Sequence, residues 1–286
     1  MDIGTIILAV ALIIIMFGMG LSLTIQDFTR LFQRPKAIIV GLLNQIILLP
    51  IIAYLLVSVM NVDTDIAIGV MILAACPGGP TSNLITHLAK GDTSLSVSLT
   101  AANSLITIFT IPFVVDFALQ QFLNANEMIQ IDKLQTIIQI FVVVIIPVTI
   151  GMAIKRSKPA FADKMSKPVK IASAAVLFLV IIALVLKKKE DLIPYLQQAG
   201  LATLLLNLST MLVGFATAKI ARLNLSQSLT ISIESGIQNG TMAIAIASGI
   251  LLNENYAIAP AVYSLIMFLT SGIIIALGIR MIGNAK

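Results

Sequence analysis

Glu234-Ser235-Gly236-Ile237-Gln238-Asn239-Gly240 lies in the middle of an apolar run from 226 to 252. A carboxylate at the depth of a bilayer centre costs about 2.5–3.5 kcal/mol on the lowest scales. Two glycines loosen the chain there, and Ser235, Gln238 and Asn239 add side-chain oxygens close by. A second stretch, Cys76-Pro77-Gly78-Gly79-Pro80-Thr81-Ser82-Asn83, interrupts the run 66–89 in the same manner. Pro77 and Pro80 lack an amide donor, so Pro-Gly-Gly-Pro is expected to break the helix, the alternative being a simple proline kink packed by its neighbours. The break leaves free carbonyls before it and free amides after it, where Thr81, Ser82 and Asn83 are all N-cap types. Free carbonyls suit a cation, and the positive end of a half-helix suits an anion. The two breaks read as halves of one site for a small cation and its co-substrate.

No Lys or Arg occupies the centre of any apolar run, so the partner expected for Glu234 is a bound ion. Hard cations take several oxygens from carboxylate, amide, hydroxyl and carbonyl groups. Glu234, Gln238, Ser82, Asn83 and the unwound backbone around Ser235 and Ile237 supply that stock. The alternative is a protonated carboxyl bonded to a neighbour. Ser96 and Thr100 stand four apart on one helical face, with Asn103 and Ser104 a turn on. Taken singly, such hydroxyls more often bond back to their own helix. Gln45 and Asn207 are mid-span amides, a type that also serves as glue between helices. His87 reads as an interfacial residue at a helix end, and Asp92 as the cap of the next helix. The chain has no Walker-type loop, zinc pattern, dinucleotide fingerprint or paired acid–base set, which argues against an enzyme.

The elements that position these residues follow from composition. Of 286 residues, 58% are hydrophobic and only 11% charged, and the mean hydropathy is +1.05. A soluble domain carries about a quarter charged residues, so the fold class is an all-α polytopic membrane protein. Nine apolar runs, near 3–23, 37–60, 66–89, 94–120, 134–154, 169–187, 195–218, 226–252 and 257–279, predict nine transmembrane helices. No basic n-region precedes the first, so no cleavable signal peptide is expected. The single cysteine, Cys76, excludes an internal disulfide. With the N-terminus outside, fourteen of the eighteen Lys and Arg fall in inside loops, and only Lys133 and Lys187-Lys188-Lys189 fall outside. That bias predicts N-out and C-in. Residues 155–170, with Pro159 and Pro168, read as a cytoplasmic linker, and 121–133 as a polar outside segment. Helices two to four and seven to nine share an order: intact, broken, polar-faced. Five crossings separate the corresponding members, and an odd offset makes this an inverted repeat, the arrangement that points to a transporter site.

The chain resembles the bile acid:sodium symporter family. The residues that carry the likeness are Met16-Phe-Gly-Met-Gly-Leu21, Pro35-Lys36 through Gln45 to Pro50, Cys76 to Asn83, Lys90-Gly-Asp through Ser96 and Thr100 to Pro112, and Glu234 to Asn239. The resemblance implies two sodium sites beside two crossing broken helices. One would use Ser82, Asn83, Ser96, Thr100 and Glu234. The other would use Gln45, Glu234, Gln238 and the backbone near Ser235 and Ile237. It also implies a panel domain (1–34 and 133–194, helices one, five and six) moving against a core domain (35–132 and 195–286, helices two to four and seven to nine). Substrate would sit in the cleft between them, near Thr81, Pro80, Asn239 and Asn207. Pro80 stands where relatives can carry a hydroxyl. Ten-helix bacterial members begin one helix earlier, so nine are expected here.

The expected function is therefore sodium-coupled import of an organic anion, such as a bile acid or a small carboxylate, by alternating access. The expected location is the cell's inner (plasma) membrane. The alternatives are proton coupling at Glu234, an oxyanion efflux permease using Cys76, and a non-transporting membrane receptor. No nucleic-acid partner is expected, because the basic residues lie in short loops between apolar runs. A monomer in membrane lipid is a plausible state.

Overall fold

The structure, a computed structural model, describes residues 35–123, 141–165 and 192–283 continuously. It also describes positions 10, 13–14, 16–21, 23–24, 26, 138–139, 168–169, 171–172 and 175. The expected run 169–187 lies largely outside the described residues and the run 3–23 about half outside them, and Lys133 and Lys187 to Lys189 lie wholly outside. Every regular element among the described residues is helical.

Helix α1 (Pro35–Leu43) passes through a π turn (Asn44–Leu48) into α2 (Leu49–Met60), giving one span of 26 residues. Pro50 has no N–H to return to the carbonyl of Ile46, and the ladder widens just before it. The same device recurs at Phe141–Ile145, where a π turn precedes Pro147 at the start of α6 (Ile146–Ser157). The interrupted run 66–89 is two half-helices, α3 (Thr64–Ala75) and α4 (Pro80–Leu88). Helix α5 (Thr93–Phe122) starts at Asp92, whose carboxylate accepts the Leu95 N–H at 3.1 Å, as expected from sequence. It bends by 61° between Thr107 and Phe109, where Pro112 deprives residue 108 of its helical donor. Helix α7 spans Leu192–Ile220. The second interrupted run is α8 (Leu225–Gly236) and α9 (Gly240–Ala245), which continues in a π turn to Ile250. A 3-10 turn at Glu254–Ala257 leads into α10 (Ile258–Gly283). The segment read as a linker is in part helical, over 159–165, and Lys155 forms an ion pair with Asp163 there.

Polarity is distributed inside out. Val59, Leu212, Ile220 and Leu269 lie bare on the outer surface, while Asn44, Gln45, Ser82, Ser96, Thr100, Asn103, Asn207, Glu234 and Gln238 are buried. In water that exchange would be unfavourable, and in lipid it is the expected one. Helix α3 is buried all round from Ile66 to Ala75, and α8 from Ser228 to Gly236, so the two broken runs occupy the centre. Glycines permit the closest approaches. A Cβ on Gly69 would lie 2.4 Å from the Tyr256 carbonyl, and one on Gly278 would lie 2.3 Å from the Ala89 carbonyl.

Polar clamps fix the two rims. At one rim the Asp63 N–H donates to Gln198 Oε1 at 2.9 Å, and Asn255 Nδ2 donates to Asp65 Oδ2 at 2.7 Å. At the other, Ser226 Oγ donates to the Lys90 carbonyl at 3.0 Å, and the Asp92 N–H to Thr230 Oγ1 at 2.8 Å. The broken runs thus pass each other head to tail, with α4 beside α8 and α3 beside α9.

Candidate cation site at the paired helix breaks

Each break unwinds into extended chain, at Cys76 (φ −76°, ψ 153°) and at Ile237 (φ −109°, ψ 99°). Unwound backbone in a membrane must find partners, and here the two breaks satisfy one another. Gly78 pairs with Gln238 in an antiparallel bridge, and the Asn239 N–H donates to the Pro77 carbonyl at 2.9 Å. A Cβ on Gly78 would lie 3.3 Å from Glu234 Oε2 and 3.4 Å from the Ile237 carbonyl, so a side chain there would press on the carboxylate.

The carbonyl at the end of each half-helix is held by an amide from an intact span. Gln45 Nε2 donates to the Cys76 carbonyl at 2.9 Å. Asn207 Nδ2 donates to the Gly236 carbonyl at 2.7 Å, and the Tyr263 hydroxyl donates to the same oxygen at 2.8 Å. The α1–α2 π turn contains Gln45, which is buried there together with Asn44.

Around Glu234 oxygens outnumber protons. Ser96 Oγ lies 2.5 Å from Glu234 Oε1 and 2.8 Å from Asn83 Oδ1. Thr100 Oγ1 lies 3.0 Å from Glu234 Oε2, 3.3 Å from Asn83 Oδ1 and 3.0 Å from the Ser96 carbonyl. Two hydroxyl protons therefore face three side-chain acceptors, besides the Ser96 carbonyl, which has its own helical donor. Ser82 Oγ stands 3.4 Å from Thr100 Oγ1, and its own proton goes to the Gly79 carbonyl at 2.8 Å. A largely buried cluster with surplus lone pairs attracts a cation. Its donors are all oxygen, and no group of three His, Cys, Asp or Glu forms among the described residues, so the chemistry suits a hard ion and not a transition metal.

The second expected set is arranged differently. Gln45 Nε2 donates to Gln238 Oε1 at 2.7 Å and Gln238 Nε2 returns to Gln45 Oε1 at 3.2 Å. Gln238 Nε2 also donates to the Ser235 carbonyl at 3.0 Å. Here each of these amide donors has an acceptor, so a cation at this set shares the glutamine oxygens with these bonds unless one amide turns.

Among the residues expected at the substrate, Pro80 and Thr81 are half-buried at the start of α4. The cap of that half-helix is Gly79, with Pro80 at N1, and Thr81, Ser82 and Asn83 sit inside the first turn, unlike the sequence reading. Asn239 caps α9 by accepting the Met242 N–H at 3.0 Å, and its Nδ2 is buried without a partner. Asn207 lies beneath the break as a brace, its Oδ1 also unpartnered. Cys76 is buried at the break, and His87 is exposed near the end of α4. Sequence reasoning passed over Tyr263 and over Asn44, which donates to Thr217 Oγ1 at 2.8 Å. A tyrosine in mid-span, in a chain with only four, was the available signal.

The family profile described as sodium bile acid symporter family matches residues 9–194. The chain belongs to that family. It is 31% identical to a Bacillus subtilis protein named an uncharacterized sodium-dependent transporter, YocS, over 82% of this chain and 71% of that one. It is 27% identical to the human ileal sodium/bile acid cotransporter over 91% of this chain and 74% of that one. It is 28% identical to the Arabidopsis thaliana "Probable sodium/metabolite cotransporter BASS1, chloroplastic" over 89% of this chain, and spans 62% of that relative's length. A member of the sodium bile acid symporter family is a sodium-dependent transporter and not an enzyme. Together with its apolar helices, this makes the chain an integral membrane protein.

Proposed function

We propose that this transporter couples sodium to the uptake of a small organic anion by alternating access. The observation that carries the reading is the proton-poor oxygen cluster in which Glu234 joins α8 to Ser96 and Thr100 of α5 and, through them, to Asn83 of α4. One sodium sits among Ser82, Asn83, Ser96, Thr100 and Glu234. A second takes Gln45, Gln238, Glu234 and the carbonyls near Ser235 and Ile237 once the glutamine pair opens. Sodium cancels the charge of Glu234 and ties both broken runs into one shape, and that shape completes the anion surface. The amide ends of α4 and α9 and the unpartnered Nδ2 of Asn239 favour negative charge beside Thr81 and Pro80.

The inverted repeat is supported by the matching braces, Gln45 on the Cys76 carbonyl and Asn207 on the Gly236 carbonyl. Residues 35–132 and 195–286 form the core and 1–34 and 133–194 the panel, with the N-terminus outside and the C-terminus in the cytoplasm. Bile acids and metabolites are what relatives are named for, and a small carboxylate fits the same chemistry.

The test is a thermal-shift titration with sodium, potassium and choline at fixed pH. Wild-type protein is stabilised by sodium alone, and Glu234→Ala stays folded but loses that shift. An undiminished sodium shift in Glu234→Ala, or an equal shift with potassium, overturns the proposal.

A further inference from the structure

A groove of about 380 Å³, open to the membrane, lies between α7, α8 and α10. Leu212, Phe215, Ile273 and Leu277 form its walls, and Leu229 and Ser232 of α8 lie along its floor. Both lining hydroxyls are already used, since Ser232 Oγ donates to the Met211 carbonyl at 2.7 Å and Thr270 Oγ1 to the Met267 carbonyl at 3.1 Å, so the groove offers an occupant almost no polar partner. A hydrocarbon chain suits it, and the volume falls within the usual range for small-molecule sites.

One end of the groove is basic. The rim clamps at Gln198 and Asn255 put the N-terminal ends of α7 and α10 on the same side, so both helices run toward the opposite rim, where Phe215 of α7 and Met281 of α10 line the same groove. Lys219 stands there with Nζ 5.6 Å from the centre of the Phe215 ring, folded over a groove wall. Arg280 lies on the helical stripe that carries Ile273 and Leu277, one turn beyond Leu277. Both are exposed, and neither has a carboxylate partner among the described residues.

We propose that this groove binds an anionic phospholipid, one acyl chain lying against α8 and the headgroup phosphate held between Lys219 and Arg280. The two features select together: the apolar slot takes the chain, and the two cations at its mouth discriminate acidic from zwitterionic headgroups. The bound chain would brace α8 one turn before Glu234. The inference rests on membrane embedding alone and does not depend on sodium coupling.

The chain contains no tryptophan, so a single introduced one reports its own site. Leu212→Trp changes an exposed wall residue, and Phe113→Trp, on α5, is a lipid-facing control away from the groove. Each variant is reconstituted into mixed vesicles and quenched by dibrominated phosphatidylglycerol or dibrominated phosphatidylcholine. The expected result is a preference for phosphatidylglycerol of at least about fivefold at Leu212→Trp, the share that one of the two basic residues gives. The preference should fall to parity when Lys219→Gln and Arg280→Gln are added, and should be absent at Phe113→Trp. Equal quenching by both lipids at Leu212→Trp overturns the proposal, as does a preference that survives the double change or appears equally at the control. Weak quenching by both lipids, the mark of a second protein copy over the groove, overturns it as well.

Discussion

Glu234 is useful because the hydroxyls around it cannot satisfy every acceptor. Ser96 and Thr100 each reach one carboxylate oxygen, and both also reach Asn83. A hydrogen bond to a charged group contributes about 1.5–3 kcal/mol. Thr100→Val removes one such bond and one cation ligand together, so the sodium concentration giving half-maximal stabilisation should rise about tenfold or more. A sodium-titrated thermal shift measures this. Ser104→Ala, whose hydroxyl donates only to the Thr100 carbonyl and Met19 Sδ, should leave the midpoint within about twofold. The glutamine pair predicts a different signature. Gln238→Glu replaces the amide that closes the pair with a second acid, so a second sodium should bind without an amide having to turn. The slope of the sodium response, more than its midpoint, reports that change.

At the scale of elements, the broken helices are held by what touches their ends. The Gly236 carbonyl has two donors, Asn207 Nδ2 and the Tyr263 hydroxyl, and the donors themselves lie 3.2 Å apart. Losing one leaves the carbonyl satisfied, so Asn207→Leu or Tyr263→Phe alone should cost about 1 kcal/mol. Losing both orphans a buried carbonyl, and the pair should exceed the sum of the singles by about 1–2 kcal/mol in a double-mutant cycle read by denaturation in detergent. Gly69 tests the packing. Its added methyl meets the Tyr256 backbone, which cannot rotate away, so Gly69→Ala should destabilise by about 1–3 kcal/mol. Gly272→Ala, with nothing within 4 Å of the new methyl, should be neutral or stabilising in the same assay.

For the whole molecule, the consequence is linkage. If sodium favours the shape that binds the anion, the anion must raise sodium affinity by the same factor. Affinity for a transported carboxylate measured with and without sodium, and for sodium with and without that carboxylate, should therefore change by equal ratios, typically about 5–150-fold. Calorimetry on detergent-solubilised protein measures both arms, and unequal ratios would remove coupling through a shared state. The anion arm reads Asn239 as well: Asn239→Ala deletes the unpartnered Nδ2 and the cap of α9, so anion affinity should fall while the sodium midpoint in the absence of anion holds.

Much of this was legible in the sequence. Composition decided helices and a membrane, because a chain this poor in charge can satisfy its backbone in lipid only within its own segments. Pro-Gly-Gly-Pro and Gly-Ile-Gln-Asn-Gly marked both interruptions, since neither string sustains a helical ladder. Glu234 named itself through the cost of its burial, and Asp92 as a cap through its place before α5. What the sequence left open depends on contacts distant along the chain. It could not say that Gly78 pairs with Gln238, that Gln45 and Asn207 brace the two broken ends, or that Tyr263 shares the second brace. Nor could it say that the Glu234 cluster is short of protons while the glutamine pair is balanced. Those contacts join groups from 13 to 193 residues apart along the chain, and only the packed helices bring them within hydrogen-bonding distance.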